Sequence, residues 1–154
     1  MSEPDFTMLR QRMLAEIAAK TVFSTTYLDK AALDPRVMDA MATVPRHAFV
    51  PFELRSYAYV DSPLPIGYQK TISQPFIVAV MTDLLGVRPT DTVLEIGTGL
   101  GYQSAILAAL AHRVFTVEII EELAEQALRR LAGQGQAKVE MRIGNGCQGW
   151  RQQA

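Results

Sequence analysis

The N-terminal part of the chain has apolar residues at the spacing of a helix. They recur three or four positions apart, at Leu9, Met13, Leu14, Ile17 and Ala18. This period predicts an amphipathic helix over residues 6–23 that buries one stripe. A second helix is predicted to begin at Asp34 and Pro35, a capping acid and a proline suited to the first turn, and to end before Pro45.

The next segment has no sustained period. Residues 45–68 are rich in Pro, Tyr and Phe, which predicts an ordered loop region with short strands. A further helical stripe follows Pro75, at Phe76, Ala79, Val80 and Leu84. Ser73 stands just before this helix. On the pattern alone, its hydroxyl is predicted to cap the helix.

From residue 92 the pattern alternates between strands and helices. Strands are predicted at "TVLEI", "RVFTVE" and "KVEMRI". Helices are predicted over residues 102–111 and along the stripe from Ile120 to Leu131, which ends near Gly133. Strands joined by helices that pack back on them give right-handed crossovers and a parallel sheet. The predicted fold class is therefore doubly wound α/β, with helices on both faces of the sheet.

The stretch "VLEIGTGLGYQSA" carries the candidate chemistry. Ligands of open α/β sheets bind beyond the carboxyl ends of the strands, where this glycine turn lies. Gly97, Gly99 and Gly101 have the spacing GxGxG, whereas a dinucleotide fingerprint is GxGxxG. Glu95 precedes the turn, so we expect a negative group that repels phosphates and attracts a cation. Glu118 ends the second strand and is expected to accept hydrogen bonds from a ribose diol. S-adenosylmethionine, a nucleoside with a cationic tail, fits this pattern.

Composition and charge exclude several other classes of protein. The 154 residues carry a formal net charge of −1 without a basic cluster, so we expect no nucleic-acid partner and no membrane surface. No basic leader is visible at the N-terminus, and no apolar run approaches the roughly 18 residues that span a bilayer. We therefore expect a cytoplasmic protein. One cysteine and two distant histidines favour no metal site, and the oligomeric state stays open.

Several motifs together resemble the protein-L-isoaspartate O-methyltransferase family. They are "VPRHAFVP", "DSPLPIGYQKTISQPFIVAVMTDLL", "DTVLEIGTGLGYQSAILA", "VFTVE" and "RIGNGCQGW", in this order. The resemblance covers the chain from about residue 36 to its end. The glycine motif alone indicates only an S-adenosylmethionine-dependent methyltransferase, whereas "LPIG" followed by "TISQP" is far more specific. The resemblance implies a Rossmann-like methyltransferase domain preceded by an N-terminal helical region.

The resemblance also implies a substrate and an active-site segment. The substrate is the free α-carboxylate of an L-isoaspartyl residue in a damaged protein or peptide. Thr71, Ile72 and Ser73 are implied to lie over the cofactor and this carboxylate, with Ser73 at the position of the active-site serine. The pattern alone favours a capping role for Ser73, whereas the resemblance favours a catalytic role. One serine can have both roles.

The remaining implied site residues belong to the cofactor. In the family, positions matching Gly97, Gly99 and Leu100 line the methionine end, Glu118 takes the ribose hydroxyls, and residues 145–146 lie at the adenine. Asn145 stands where the family usually has Asp, so it offers an acceptor without charge, and Gly146 follows it. Leu100 stands where a smaller residue is common, and we expect it to crowd the site.

The resemblance divides the chain at about residue 90. Residues 1–90 are the predicted helical and loop region, and residues 91–154 the first part of the cofactor-binding sheet, within a single partial domain. The family's sheet continues on the other side of the first strand, so its C-terminal half is expected to be missing. We expect residues 1–154 alone to associate through that open edge and to lack methyl transfer.

Three alternatives to isoaspartyl methyl transfer are compatible with the sequence. The chain could bind S-adenosylmethionine without turnover, or methylate another substrate class. A nicotinamide-dependent oxidoreductase is the weakest alternative, because the glycine spacing and the acid at position 95 oppose a pyrophosphate.

Overall fold

The structure, a computed structural model, describes residues 5–150 and contains two compact units. The first unit is Met1–Gly86 and the second is Val87–Ala154. The boundary falls close to the predicted change of organisation near residue 90. That both units belong to one domain stays a prediction.

The first unit is mainly helical. Its helices are α1 (Phe6–Phe23), α2 (Thr25–Leu28), α3 (Pro35–Thr43) and α4 (Pro75–Leu85). Short 3₁₀ turns at Arg46–Ala48 and Phe52–Tyr57 and an antiparallel pair of strands, β1 (Leu64–Gly67) and β2 (Lys70–Ile72), fill the segment between α3 and α4. The predicted first helix and the predicted loop region with short strands are confirmed. Asp34 caps α3 as predicted, because its carboxylate accepts a hydrogen bond from the Arg36 N–H.

The buried stripe of α1 differs from the predicted one. Met13 and Ile17 are buried as predicted, but the stripe continues to Thr21 and leaves Ala18 exposed. Thr21 tolerates burial because its hydroxyl donates to the Ile17 carbonyl oxygen at 2.9 Å. A local hydrogen bond can thus place a polar residue on a buried face where the apolar pattern does not predict it.

The buried face of α4 is also rotated from the predicted one. Ala79 is buried as predicted, but Leu84 is 63% exposed and Asp83 is buried instead. The Asp83 carboxylate accepts hydrogen bonds from the Lys30 side chain at 2.6 Å and from the Asp34 N–H at 2.6 Å. These partners come from the segment before α3. The burial of Asp83 is therefore a tertiary effect that the periodicity of α4 cannot reveal.

The second unit is the predicted parallel α/β arrangement. It contains β3 (Thr92–Ile96), α5 (Tyr102–Leu110), β4 (Arg113–Glu118), α6 (Glu121–Gly133) and β5 (Val139–Ile143). The sheet has the order β3-β4-β5, and both strand pairs are parallel. All three predicted strands are confirmed. Their carboxyl ends meet at one edge, since Ile96 pairs with Val117 and Glu118 pairs with Ile143.

The strand β3 lies at the edge of the sheet formed by the described residues, as expected. Its neighbour β4 is central and buries Val114 and Val117, whereas Leu94 and Ile96 on β3 are 44% and 54% exposed. Between residues 5 and 150, no helix is long and apolar enough to cross a bilayer.

Candidate cofactor site

The glycine loop between β3 and α5 has a backbone that only glycine adopts easily. Gly97, Gly99 and Gly101 have φ angles of +90°, +57° and +91°. A Cβ atom on Gly101 would lie 3.0 Å from Cγ of Leu131 on α6, so this glycine allows helix packing. A Cβ atom on Gly97 would meet no described atom within 4 Å. The bare backbone at Gly97 therefore borders space that a ligand can occupy.

The loop is bound to the end of β4. The Gly97 N–H donates to the Val117 carbonyl oxygen at 2.8 Å. The Gly99 N–H donates to Glu118 Oε2 at 2.8 Å, and the Ile120 N–H donates to Glu118 Oε1 at 3.0 Å. Glu118 is buried. Each of its oxygens accepts one backbone hydrogen bond here and has a further acceptor position.

Glu95 has a different role from the one predicted. Its Oε2 accepts hydrogen bonds from the hydroxyls of Ser104 on α5 and of Thr116 on β4, the second at 2.7 Å. Burial, with a smaller contribution from the charge on Glu118, raises the pKa of Glu95 to about 7 against the opposing effect of these hydrogen bonds. The expectation that Glu95 is the acid facing the ligand is therefore corrected. Glu118 is the acid bonded to the loop.

The turn after β5 lies beside the glycine loop. The Gly144 N–H donates to the Glu118 carbonyl oxygen at 2.9 Å, which continues the β4–β5 pairing beyond the strand. A Cβ atom on Gly146 would lie 2.2 Å from Cγ2 of Ile96, so only glycine allows this turn to pack against the end of β3. Glu118 and Gly146 are thus brought to the edge of the sheet that carries the loop.

Two predicted cofactor contacts are partly used within the protein. The Asn145 side-chain oxygen accepts a hydrogen bond from the Cys147 N–H at 2.9 Å and caps the short 3₁₀ turn Gly146–Gln148. The Leu100 side chain is buried, with 2% exposure. The crowding expected of Leu100 stays a prediction.

The predicted active-site segment belongs to the first unit. Thr71 and Ser73 are exposed, and Ile72 between them is buried. Arg46, which is fully buried, donates from Nη2 to the Ser73 carbonyl oxygen at 2.7 Å and from Nε to the Ala58 carbonyl oxygen at 2.8 Å. This guanidinium therefore fixes the backbone at Ser73 against the preceding loop region.

Ser73 does not cap α4. The residue before the helix is Gln74, and no side chain makes a capping bond from that position. Instead Asp61 accepts the Phe76 N–H at 2.7 Å and the Gln74 side-chain amide at 3.0 Å, and it pairs with Lys20. Burial alone would raise the pKa of Asp61, but these hydrogen bonds outweigh it and lower the pKa. The Ser73 hydroxyl is therefore not needed to begin the helix.

Arg46 and Asp61 are functional-site candidates that the pattern of the sequence did not reveal. They bind the "TISQP" segment from positions 27 and 13 residues away in the chain, respectively. The only sequence signal was their presence in the quoted motifs "VPRHAFVP" and "DSPLPIG". In the described range 5–150, no three His, Cys, Asp or Glu side chains come together as metal ligands would.

The fold and the site define a class of protein. A glycine loop after β3, a buried acid at the end of β4 and a parallel sheet are the features of a Rossmann-like methyltransferase domain. A solved protein-L-isoaspartate O-methyltransferase matches 89% of this chain and 42% of its own with a TM-score of 0.72 and 25% identity. A Plasmodium falciparum structure, solved with S-adenosyl-L-homocysteine, is 18% identical, with a TM-score of 0.70 over 93% of this chain and 64% of its own.

The chain belongs to the protein-L-isoaspartate(D-aspartate) O-methyltransferase family, whose model matches residues 19–154. Protein-L-isoaspartate O-methyltransferase 1 of Polaromonas sp. (strain JS666) is 69% identical over all of this chain. Protein-L-isoaspartate O-methyltransferase 2 of Syntrophobacter fumaroxidans is 54% identical over 94% of it. The chain spans 65% and 59% of the lengths of these two relatives.

Proposed function

We propose that the glycine loop and the end of β4 bind S-adenosylmethionine. The observation that carries this proposal is the hydrogen bond from the Gly99 N–H to the Glu118 carboxylate. A dinucleotide fold offers such loop amides to a pyrophosphate, whereas here an anion already takes one of them. The site therefore favours a ligand without phosphate groups and with a cationic tail.

The residues at this edge of the sheet fit the parts of that cofactor. The open side of Gly97, together with the backbone of Gly99 and Leu100, suits the methionine end. The two further acceptor positions of the Glu118 carboxylate match the two hydroxyl donors of a ribose. Asn145 and Gly146 are proposed to lie at the adenine, where the amide oxygen of Asn145 has a second lone pair beside its bond to Cys147.

The proposed reaction is methyl transfer to the free α-carboxylate of L-isoaspartyl residues in damaged proteins and peptides. Membership of the family and the names of its relatives support this substrate class. When bound, S-adenosylmethionine supplies a methyl group on a sulfonium. A carboxylate oxygen forms the new C–O bond as the C–S bond breaks, its electrons pass to sulfur, and no proton has to move because the carboxylate is already ionised at neutral pH.

The chain's contribution to this reaction is alignment. The exposed Ser73 hydroxyl is proposed to donate a hydrogen bond to the substrate carboxylate, with Thr71 and Ile72 covering the reactants. Arg46 holds the Ser73 carbonyl oxygen and Asp61 holds the Phe76 N–H three residues later, which supports a fixed position of the hydroxyl. Alignment of two reactants can lower a barrier by roughly 7–11 kcal/mol in favourable cases.

The experiment is a radiolabelled methyl-transfer assay with two peptides that differ only in an isoaspartyl or a normal aspartyl linkage. The chain is assayed alone and as a chimaera in which it replaces the matching segment of the Polaromonas relative, with that relative as positive control. We expect the chimaera to label the isoaspartyl peptide only. If a folded chimaera labels neither peptide, the substrate proposal is contradicted and only a binding function remains.

A cytoplasmic location is part of the proposal. The presence of one cysteine, which is exposed, suits a reducing compartment better than one where disulfides form. Fractionation of cells that produce the tagged chain tests this, and recovery with extracytoplasmic markers would contradict it.

A further inference from the structure

A cluster of polar side chains, three of them buried and Glu95 half-buried, lies beside the glycine loop. The Glu95 cluster consists of Glu95 on β3, Thr98 in the loop, Ser104 on α5 and Thr116 on β4. Glu95 Oε2 accepts from Ser104 and Thr116, and Thr116 Oγ1 lies 2.6 Å from Thr98 Oγ1. Ser104 and Thr116 are fully buried, and Thr98 is 4% exposed.

When Glu95 is ionised, counting protons fixes the direction of these hydrogen bonds. A hydroxyl has one proton to donate, and Thr116 gives its proton to Glu95. Thr98 must therefore donate to Thr116 in their shared bond. Thr98 thus donates to Thr116, which donates to the Glu95 carboxylate. Through these two hydroxyls, the charge on the carboxylate acts on the orientation of the Thr98 side chain.

Thr98 is the second residue of the loop. It lies between Gly97 and Gly99, and its carbonyl oxygen accepts a hydrogen bond from the Gly101 N–H at 2.9 Å. We propose that Glu95 is a positioning residue that sets the shape of the glycine loop through Thr116 and Thr98, so that its ionised form favours binding of the cofactor. This inference rests on the proposed function.

The surroundings of Glu95 make its charge changeable near neutral pH. Hydroxyls of Ser104 and Thr116 face it from α5 and β4, and Glu118 on β4 is the charged group that acts on it. Burial raises its pKa to about 7. An ionised carboxylate accepts hydrogen bonds about twice as strong as those of a neutral acceptor. The loop is therefore held more firmly at pH 8 than at pH 5.5.

The test is calorimetric binding of S-adenosylhomocysteine at pH 5.5 and pH 8. The wild-type chain is expected to bind roughly fivefold more tightly at pH 8, the scale for strengthening one hydrogen bond to a charged group. Glu95→Gln keeps an acceptor oxygen but cannot ionise, so its affinity is expected to be the same at both pH values. Glu140→Gln removes an exposed carboxylate of β5 and is expected to keep the wild-type difference.

A second measurement reports on the loop without the ligand. Amide hydrogen exchange of residues 97–101, corrected for the intrinsic effect of pH, is expected to show more protection at pH 8 than at pH 5.5 in the wild type, and no change in Glu95→Gln. The inference is overturned if Glu95→Gln keeps the wild-type pH dependence in both measurements. If neither the wild type nor Glu140→Gln binds the ligand at either pH, the proposed function fails, and the exchange measurement decides the role of Glu95.

Discussion

Replacing Glu95 with glutamine is expected to stabilise the folded chain above neutral pH. The pKa of Glu95 rises from 4.5 to about 7 because the carboxylate is buried. The folded chain therefore holds a proton up to about pH 7 that the unfolded chain releases near pH 4.5. The stability from this proton is fully present below pH 4.5 and is lost as the pH rises to about 7.

The size of the effect follows from the pKa change. One pKa unit corresponds to about 1.4 kcal/mol, so ionising Glu95 costs the folded chain about 3 kcal/mol of unfolding free energy above pH 7. Glutamine has no proton to lose and avoids this cost. In a chain of this size, each kcal/mol shifts the melting temperature by roughly 2–4 °C.

The assay is thermal unfolding of the wild type, Glu95→Gln and Glu140→Gln from pH 5 to pH 8. The wild type and Glu95→Gln are expected to melt at similar temperatures at pH 5, and Glu95→Gln at a clearly higher temperature at pH 8. Glu140→Gln removes an exposed ion pair with Arg113 and is expected to change stability by about 1 kcal/mol or less at both pH values. Parallel pH profiles for the wild type and Glu95→Gln would refute the reasoning.

Three further substitutions test other parts of the site. Glu118→Ala is expected to weaken S-adenosylhomocysteine binding by roughly 1.5–3 kcal/mol, the scale for hydrogen bonds to a charged group, and unchanged calorimetric affinity in a folded variant would remove Glu118 from the site. Gly146→Ala is expected to cost roughly 1–3 kcal/mol of unfolding free energy, because the added Cβ clashes with Ile96. Gly133→Ala is the matched control. It is expected to cause no loss, because a Cβ there meets nothing within 4 Å. Ser73→Ala in the chimaera is expected to lower kcat/KM for the isoaspartyl peptide without changing the melting temperature; a loss of about 1 kcal/mol of stability with turnover preserved would indicate a cap instead.

Local patterns predicted most elements of the fold. The bounds of α1 and β3 agree with the predictions: α1 begins after its capping residue Asp5, and β3 ends directly before Gly97. The faces of the helices were harder to predict. Leu84 is exposed and Asp83 is buried because Lys30 and the Asp34 N–H, about 50 positions away, satisfy the carboxylate. A single helical period does not contain that information.

Some features of the candidate site could also be predicted from the sequence, and others could not. The sequence placed Glu118 and the glycine loop at one end of the sheet, because parallel strands align their carboxyl ends. It wrongly expected Glu95 to face the ligand, because the hydroxyls that bind the Glu95 carboxylate are brought to it by α5 and β4. The link from Arg46 to Ser73 spans 27 positions and involves a backbone oxygen, which no side-chain pattern encodes.

The most direct test of the proposed cofactor site is calorimetric titration of the wild-type chain with S-adenosylhomocysteine and, separately, with NAD. The Glu118 carboxylate already accepts the hydrogen bond of the Gly99 N–H, which a pyrophosphate would otherwise accept. The site is therefore expected to bind S-adenosylhomocysteine and to give no heat of binding with NAD. Weaker binding of S-adenosylhomocysteine by Glu118→Ala, with wild-type affinity kept in Glu140→Gln, would locate the ligand at the end of β4. Binding of NAD in preference to S-adenosylhomocysteine would contradict the account.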